Sequence, residues 1–318
     1  MSRQKILIDC DPGHDDLVAI LFAARHLDLV GVTTVHGNNS LANTTRNGLI
    51  TLELGKLDHI PLAMGCAEPL AQASIGIGEG HGKSGLDGAT VVEPRRKPID
   101  IHAVDFIIAM AEKHKGELVL APIGPLTNVA MALKREPRLK LWLREISIMG
   151  GSTTTGNFTP AAEFNIAGDV EAAWTVFESG LPLRMVGLNI TRVTGFDETD
   201  IAAMRASGKA AAAVIADLMA FYLGTQKTRY GLSVATMHDV CAIIPYVAPE
   251  LITYLHTSVR IETAGTLTRG MTLCDLRHPK GSAVEHLRHR TPPNCLVATE
   301  ARSRDISDLV LKTLLSYD

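Results

Sequence analysis

Lys5-Ile6-Leu7-Ile8-Asp9-Cys10-Asp11-Pro12-Gly13-His14-Asp15-Asp16-Leu17-Val18-Ala19-Ile20 is the stretch that decides the fold. Its aliphatic run ends at Asp9 and reads as a buried strand. Pro12-Gly13 breaks the chain, and the paired acids at 15 and 16 open a segment of helical period that runs to His26. A strand feeding directly into a helix is the repeating unit of a parallel sheet.

The same alternation continues through the first 190 residues. Strands are expected at 5–9, 29–35, 117–121, 145–149 and 183–186, and helices at 15–26, 41–54, 101–114, 126–134 and 169–179. These units predict an α/β fold, an open doubly wound, mainly parallel sheet flanked by helices. The C-terminal third adds helices at 199–206, 210–227 and 239–247, β-rich pieces at 258–263 and 294–298, and a final helix at 305–316. Between them, 67–98 is a long Gly-rich connection, a length more typical of functional or mobile loops than of simple turns.

Composition narrows the function classes. The 318 residues are 46% hydrophobic and 20% charged, with 31 Lys+Arg against 34 Asp+Glu and a formal net charge of −3. That hydrophobicity excludes a disordered chain. The mild acidity, with no basic tract, argues against a nucleic-acid partner. The longest weakly polar stretch, 210–226, contains Asp217 and falls short of the ~20 apolar residues of a membrane span. Ile6-Leu7-Ile8 is too short for a signal-peptide core, so a cytoplasmic location is expected. Cys10, Cys66, Cys241, Cys274 and Cys295 are widely spaced and never form C-x-x-C, the pattern of reduced packing residues.

In an open α/β sheet, ligands bind beyond the carboxyl ends of the strands. At the end of the first strand Asp9, Asp11, Asp15 and Asp16 crowd four carboxylates into eight residues. Asp15 and Asp16 would complement a helix N-terminus in any case, and Asp9 could be tied up by backbone donors. Asp11 and the density of the cluster are left over. Oxygen donors without a Cys or His pair at zinc spacing suit a hard divalent cation, Ca²⁺ or Mg²⁺.

The signature Asp9-Cys10-Asp11-Pro12-Gly13-His14-Asp15-Asp16 resembles the N-terminal block of the inosine-uridine-preferring nucleoside hydrolase family. Further matches follow in order: Gly37-Asn38, Pro122-Ile123-Gly124-Pro125-Leu126-Thr127-Asn128, Met149-Gly150-Gly151, Ala162-Glu163-Phe164-Asn165 and His238-Asp239. The resemblance spans residues 5 to 315. It implies one Ca²⁺ per subunit, held by carboxylates of Asp11, Asp16 and Asp239 and by the backbone carbonyl of Ile123. It also implies a ribose pocket made by Asp15, Asn38, Asn157, Glu163, Phe164 and Asn165, with Met149 beside them. The implied reaction is hydrolysis of ribonucleosides to ribose and free base, in nucleoside salvage, by a homodimer or homotetramer.

Hydrolysing an N-glycosidic bond requires an activated water, stabilisation of an oxocarbenium-like sugar and help for the departing base. Asp11 is the candidate general base. Asp15, Glu163 and the amide oxygen of Asn165 would favour the developing cation. His238 is the candidate general acid, with an ordinary pKa near neutrality suiting proton donation. Tyr222, Gln226 and Tyr230 recur every four residues on one helix face, either as a core-and-rim stripe or as contacts for the nucleobase, a feature similar to pyrimidine-accepting members. Trp142 and Trp174 lie on helical segments away from the strand ends, so no indole sandwich for purines is indicated, and pyrimidine or broad specificity is expected.

Other motifs fail. Gly78-Glu79-Gly80-His81-Gly82-Lys83-Ser84 lacks the glycine at 77 that a phosphate loop needs, although His81 would approach the base if this loop lies near the site. His278, His286 and His289 are expected at the surface, and Arg95-Arg96-Lys97 in a solvated loop. Two rival functions remain open at this level. A haloacid-dehalogenase-type Mg²⁺ phosphatase also uses Asp-x-Asp after a first strand, but gives no role to Asp15-Asp16. A non-catalytic nucleoside-binding protein would not need both Asp11 and His238. Because blocks from Asp9 to Asp239 are expected to build one site, residues 1–318 read as a single domain.

Overall fold

The computed structural model describes residues 3–76, 79–277 and 291–318. The first half of the chain runs β1 (Lys5–Cys10), α1 (His14–His26), β2 (Asp28–Thr34), α2 (Leu41–Leu54), β3 (Leu62–Met64), α3 (Ala103–Lys113), β4 (Leu118–Pro122), α4 (Thr127–Arg135), α5 (Leu139–Trp142) and β5 (Leu143–Met149). It continues through α6 (Phe164–Gly168), α7 (Val170–Phe177), β6 (Leu183–Val186), α8 (Leu188–Thr191), β7 (Gly195–Phe196), α9 (Glu198–Ala206), α10 (Ala210–Tyr230) and β8 (Ala235–Thr236). The last elements are β9 (Ile252–Thr257), β10 (Val259–Ile261), β11 (Thr272–Cys274), β12 (Cys295–Ala301) and α11 (Ser303–Leu314).

Eight strands form one sheet in the order β3-β2-β1-β4-β5-β6-β12-β9. Neighbours are parallel from β3 to β12, and β9 alone runs antiparallel, against β12. The chain winds outward from β1 in both directions, so the crevice between β1 and β4 is a topological switch point, the place where such sheets bind ligands. Alternation along β1 sends Ile6, Ile8 and Cys10 into the core under α1, α2 and α10, and Leu7 into the core under α3, α4 and α7. A period of two with both faces covered is why the strand is apolar throughout.

The expected strands and helices of the first 190 residues all form, with ends shifted by one or two residues. Helix α3 starts late because His102 is its N-cap, the ring accepting the Val104 N–H. Helix α10 runs on to Tyr230 and stops where Gly231 turns left-handed, at φ 65°.

The expected helix at 239–247 does not form. The segment makes two 3₁₀ turns, Asp239–Ala242 and Ile244–Tyr246, because Pro245 has no N–H and disfavours helical backbone at Ile244. Strands β3, β7, β8, β9 and β11 were not legible; most have two or three residues, too few to show a period.

Arg95-Arg96-Lys97 lies in a loop with Arg95 and Lys97 exposed, as expected, and Arg96 half-buried. Arg96 donates to the carbonyls of Leu57 and Ile60, and Glu53 accepts the Arg95 and Arg96 N–H groups. The five cysteines are free thiols, three of them buried. No helix among the described residues is long and apolar enough to cross a membrane. His278, His286 and His289 lie outside the described residues.

Candidate active site

The carboxyl end of β1 delivers the acids as the sequence requires, but to different tasks. Asp9 is fully buried and faces away from the crevice: its Oδ1 accepts from the Thr33 hydroxyl at 2.6 Å and the Asn128 amide at 2.8 Å, while Oδ2 has no partner. The donors are side chains, not the backbone groups expected. Burial pushes this carboxyl up to about 7. Asn128 also accepts the Cys66 N–H and donates to the Thr34 carbonyl, so Asp9 and Asn128 tie β1, β2 and α4 together beneath the site.

Asp11 sits between two close backbones. Its Oδ2 accepts the Asn38 N–H at 2.6 Å, and a Cβ added to Gly37 or Gly124 would come within 2.1 or 2.5 Å of its carboxylate oxygens. Only glycine permits that approach. Asp16 caps α1, accepting the Gly13 N–H at 2.8 Å and the Asp11 N–H at 3.3 Å. The chain then brings Asp239 in from the turn after β8, and carboxylate oxygens of Asp15, Asp16 and Asp239 lie within 4.8 Å of one another, all buried.

This concentration of charge is uncompensated. Burial first, then repulsion among the neighbouring carboxylates, holds Asp11, Asp15 and Asp239 well above the usual carboxylate range. Burial raises Asp16 to about 6. Among the described residues no Lys or Arg forms an ion pair with Asp11, Asp15, Asp16, Glu163 or Asp239; the one ion-pair contact is His81 to Asp15 at 3.9 Å. A cluster of oxygen donors that can shed its protons only beside positive charge fits a hard cation.

Asp15 and Asp239, though not Asp11 or Asp16, line a cavity of about 480 Å³, together with Asn38, Ile123, Met149, Asn157, Glu163, Phe164, Asn165 and His238 among others. Glu163 is the N-cap of α6 and accepts N–H groups from Gly151, Asn165 and Ile166. Burial raises it to about 6. The Asn165 nitrogen donates to the carbonyls of Ile123 and Met149 and touches the Met149 sulfur at 3.3 Å, which leaves the amide oxygen to meet a ligand. Asn157 accepts the Phe164 N–H and so joins its loop to the start of α6.

The far wall is α10 with the 67–98 connection. Tyr222, Gln226 and Tyr230 all line the cavity, Tyr222 and Gln226 buried and Tyr230 at the rim, together with His81. His14, Tyr222 and His81 form a stacked group with centroids 4.8–5.2 Å apart. His238 places Nδ1 2.6 Å from the Thr191 hydroxyl. Burial, helped by Arg192, lowers its pKa to about 4, in place of the near-neutral value expected.

Trp142 and Trp174 are absent from the lining, as expected. Sequence reasoning missed Phe158, Arg192 and Arg229, which also line the cavity, and gave no role to His14. The signal for Arg192 was available: it follows Thr191 on the short helix just after β6, at a strand's carboxyl end.

The sequence model of the inosine-uridine preferring nucleoside hydrolases matches residues 6–307. The chain belongs to that family. It is therefore a ribonucleoside hydrolase, and neither the phosphatase nor the non-catalytic alternative stands. The pyrimidine-specific ribonucleoside hydrolase RihB of Escherichia coli is 40% identical over 278 residues, covering 86% of this chain and 88% of that protein. The purine-preferring ribonucleoside hydrolase from Gardnerella vaginalis superposes with a TM-score of 0.90 at 29% identity over 98% of both chains. A plant nucleoside hydrolase gives 0.88 at 30% identity over 99% of both.

Proposed function

We propose that this nucleoside hydrolase depends on calcium and prefers pyrimidine ribonucleosides, acting in nucleoside salvage. The observation that carries the cation is the buried carboxylate cluster of Asp15, Asp16 and Asp239, close enough to Asp11 for mutual repulsion and without a Lys or Arg partner among the described residues. Asp11, Asp16 and Asp239, with the Ile123 carbonyl, would hold one ion per subunit. Bound there, the ion supplies the positive charge that makes a water molecule acidic enough to lose a proton near neutrality.

The chain's own residues do the rest. Asp11 accepts the proton of the attacking water. Asn38, Asn157 and Asp15 hold ribose hydroxyls with Phe164 and Met149 packed beside them, and loss of one hydroxyl would leave buried polar groups unpaired, which selects ribose over deoxyribose. Asp15, Glu163 and the Asn165 oxygen face the positive charge that develops on the sugar. His238 serves the departing base. Held at about 4, it is neutral at pH 7, so it acts as a neutral imidazole oriented by the contact of Nδ1 with the Thr191 hydroxyl.

Pyrimidine preference is supported by the likeness to RihB, pyrimidine-specific by name, and by a base wall of His81, Tyr222, Gln226 and Tyr230 without tryptophan. Because Asp11 and Asp239 meet in one site, we read residues 1–318 as a single domain; a cytoplasmic homodimer or homotetramer is the matching assembly. The test incubates the protein with uridine, cytidine, inosine and p-nitrophenyl phosphate, with and without a calcium chelator. Ribose release from uridine and cytidine, abolished by the chelator and restored by Ca²⁺, is expected. Chelator-resistant turnover, or faster release from inosine, refutes the corresponding part.

A further inference from the structure

We propose that Arg192 is a positioning residue that clamps the 153–158 loop against α8 and so sets Asn157 in the ribose wall. The inference rests on Asn157 being a sugar contact. The Arg192 guanidinium donates from one terminal nitrogen to the Thr155 hydroxyl at 2.8 Å and from the other to the Gly156 carbonyl. These acceptors belong to adjacent residues, a spacing suited to the planar fork of a guanidinium rather than to the single point of an ammonium.

The loop is closed on itself before Arg192 reaches it. The N–H groups of Asn157, Phe158 and Thr159 converge on the Ala162 carbonyl at 3.1–3.2 Å, and the Gly156 N–H donates to the Pro160 carbonyl at 3.0 Å. Gly156 permits this closure, since a Cβ there would fall 2.2 Å from the Ala162 oxygen. The Phe164 N–H donates to Asn157 Oδ1 at 2.8 Å, which leaves the Asn157 amide nitrogen to meet a sugar hydroxyl. Residues 153–158 are exposed or half-buried. With its own backbone groups bonded internally, the ring is placed over the cavity by what grips it from outside.

That grip comes from a fixed element. In α8 the Leu188 N–H donates to the Gly151 carbonyl and the Asn189 amide to the Ala298 carbonyl on β12, both at 2.9 Å, which ties the helix to the sheet. Thr191, at the end of the same helix, meets His238. Consecutive side chains thus serve opposite ends of the substrate: Thr191 the histidine beside the departing base, and Arg192 the loop beside the sugar. Arg192 also lines the cavity and its charge bears on His238, so the test separates its fork from its charge.

Five variants are compared: Arg192→Gln, which removes fork and charge; Arg192→Lys, which keeps the charge; Thr155→Val, which removes one acceptor at an exposed position; Asn157→Ala; and Arg192→Gln with Asn157→Ala. Steady-state kinetics in calcium set uridine beside p-nitrophenyl riboside, and circular dichroism with thermal melting verifies the fold. Arg192→Gln should lose roughly 10–100-fold in kcat/KM, the scale of a misplaced substrate-positioning group, by the same factor with both substrates because both carry the ribose. Arg192→Lys should lose most of that factor and Thr155→Val a smaller part of it. In the Asn157→Ala background Arg192→Gln should cost little further. Full activity in Arg192→Lys, a loss confined to uridine, or additive losses in the double variant overturn the inference; either of the first two assigns the effect of Arg192 to its charge on His238. If Asn157→Ala retains wild-type kinetics, the sugar-contact reading fails instead. Hydrogen exchange of the 153–158 amides then decides: faster exchange in Arg192→Gln is expected, and unchanged exchange refutes the clamp.

Discussion

Asp239→Asn should have different consequences with and without calcium. In the metal-free protein Asp239 is held well above the usual carboxylate range by burial and by Asp15, Asp16 and Asp11, which favours the protonated form that asparagine imitates. The variant in chelator should therefore melt within about 1 kcal/mol of wild type, the scale of a net hydrogen-bond change. With calcium at 100 times its Kd, wild type should gain about 2.7 kcal/mol. For 318 residues, an unfolding entropy of about 2.1 cal/mol/K per residue makes about 0.7 kcal/mol per degree, a rise of about 4 °C. The variant should lose most of that rise, because a neutral oxygen replaces a charged one.

The pH dependence has a definite sign. Asp16 has a folded pKa of about 6 against an ordinary value of 3.8. Its stabilising protonated form is complete below the unfolded pKa and is lost as pH rises through the folded one, at a cost of about 3 kcal/mol from this group alone. In chelator, stability should fall between about pH 4 and pH 6, and the calcium-induced shift should be larger at pH 7.5 than at pH 5. Differential scanning calorimetry in calcium and in chelator at both pH values measures all of this. An equal calcium shift in wild type and Asp239→Asn would refute the ligand assignment, and no shift in wild type would refute the cation.

Three further outcomes are expected. His238→Ala should lose roughly 100-fold or more with uridine and much less with p-nitrophenyl riboside, whose leaving group needs no proton; equal losses in steady-state kinetics count against a role at the base. Asp9→Asn should stabilise the protein above pH 7 by up to about 4 kcal/mol, since a group raised from 3.8 to about 7 costs that much once ionised, and melting that favours the aspartate at pH 8 would contradict it. Gly124→Ala, with its Cβ 2.5 Å from Asp11 Oδ1, should abolish most turnover while the far-ultraviolet circular dichroism stays unchanged; full activity would show that Asp11 need not sit where it does.

Much of this protein was legible along the chain. The alternation at 5–9 and 15–26 specified a strand and a helix because side-chain period is a local property, and the acids of 9–16 marked a site because carboxylates crowd so only for a reason. What each acid does was not legible. Asp9 stands two residues from Asp11, yet it anchors the strand to Thr33 and Asn128, while Asp239 arrives from far along the chain to face Asp15 and Asp16. The near-neutral pKa expected for His238 failed for the same reason, since burial and the charge of Arg192 exist only in the folded state.

The sequence by itself thus determined most of the helices, the central parallel strands and the family, all of which depend on local period and on motifs in order. Tertiary structure alone decided which acids converge, which one is structural, and how His14 meets His81 across 67 residues. Desolvation and Coulomb repulsion act through space, and only the packed sheet and its helices set those distances.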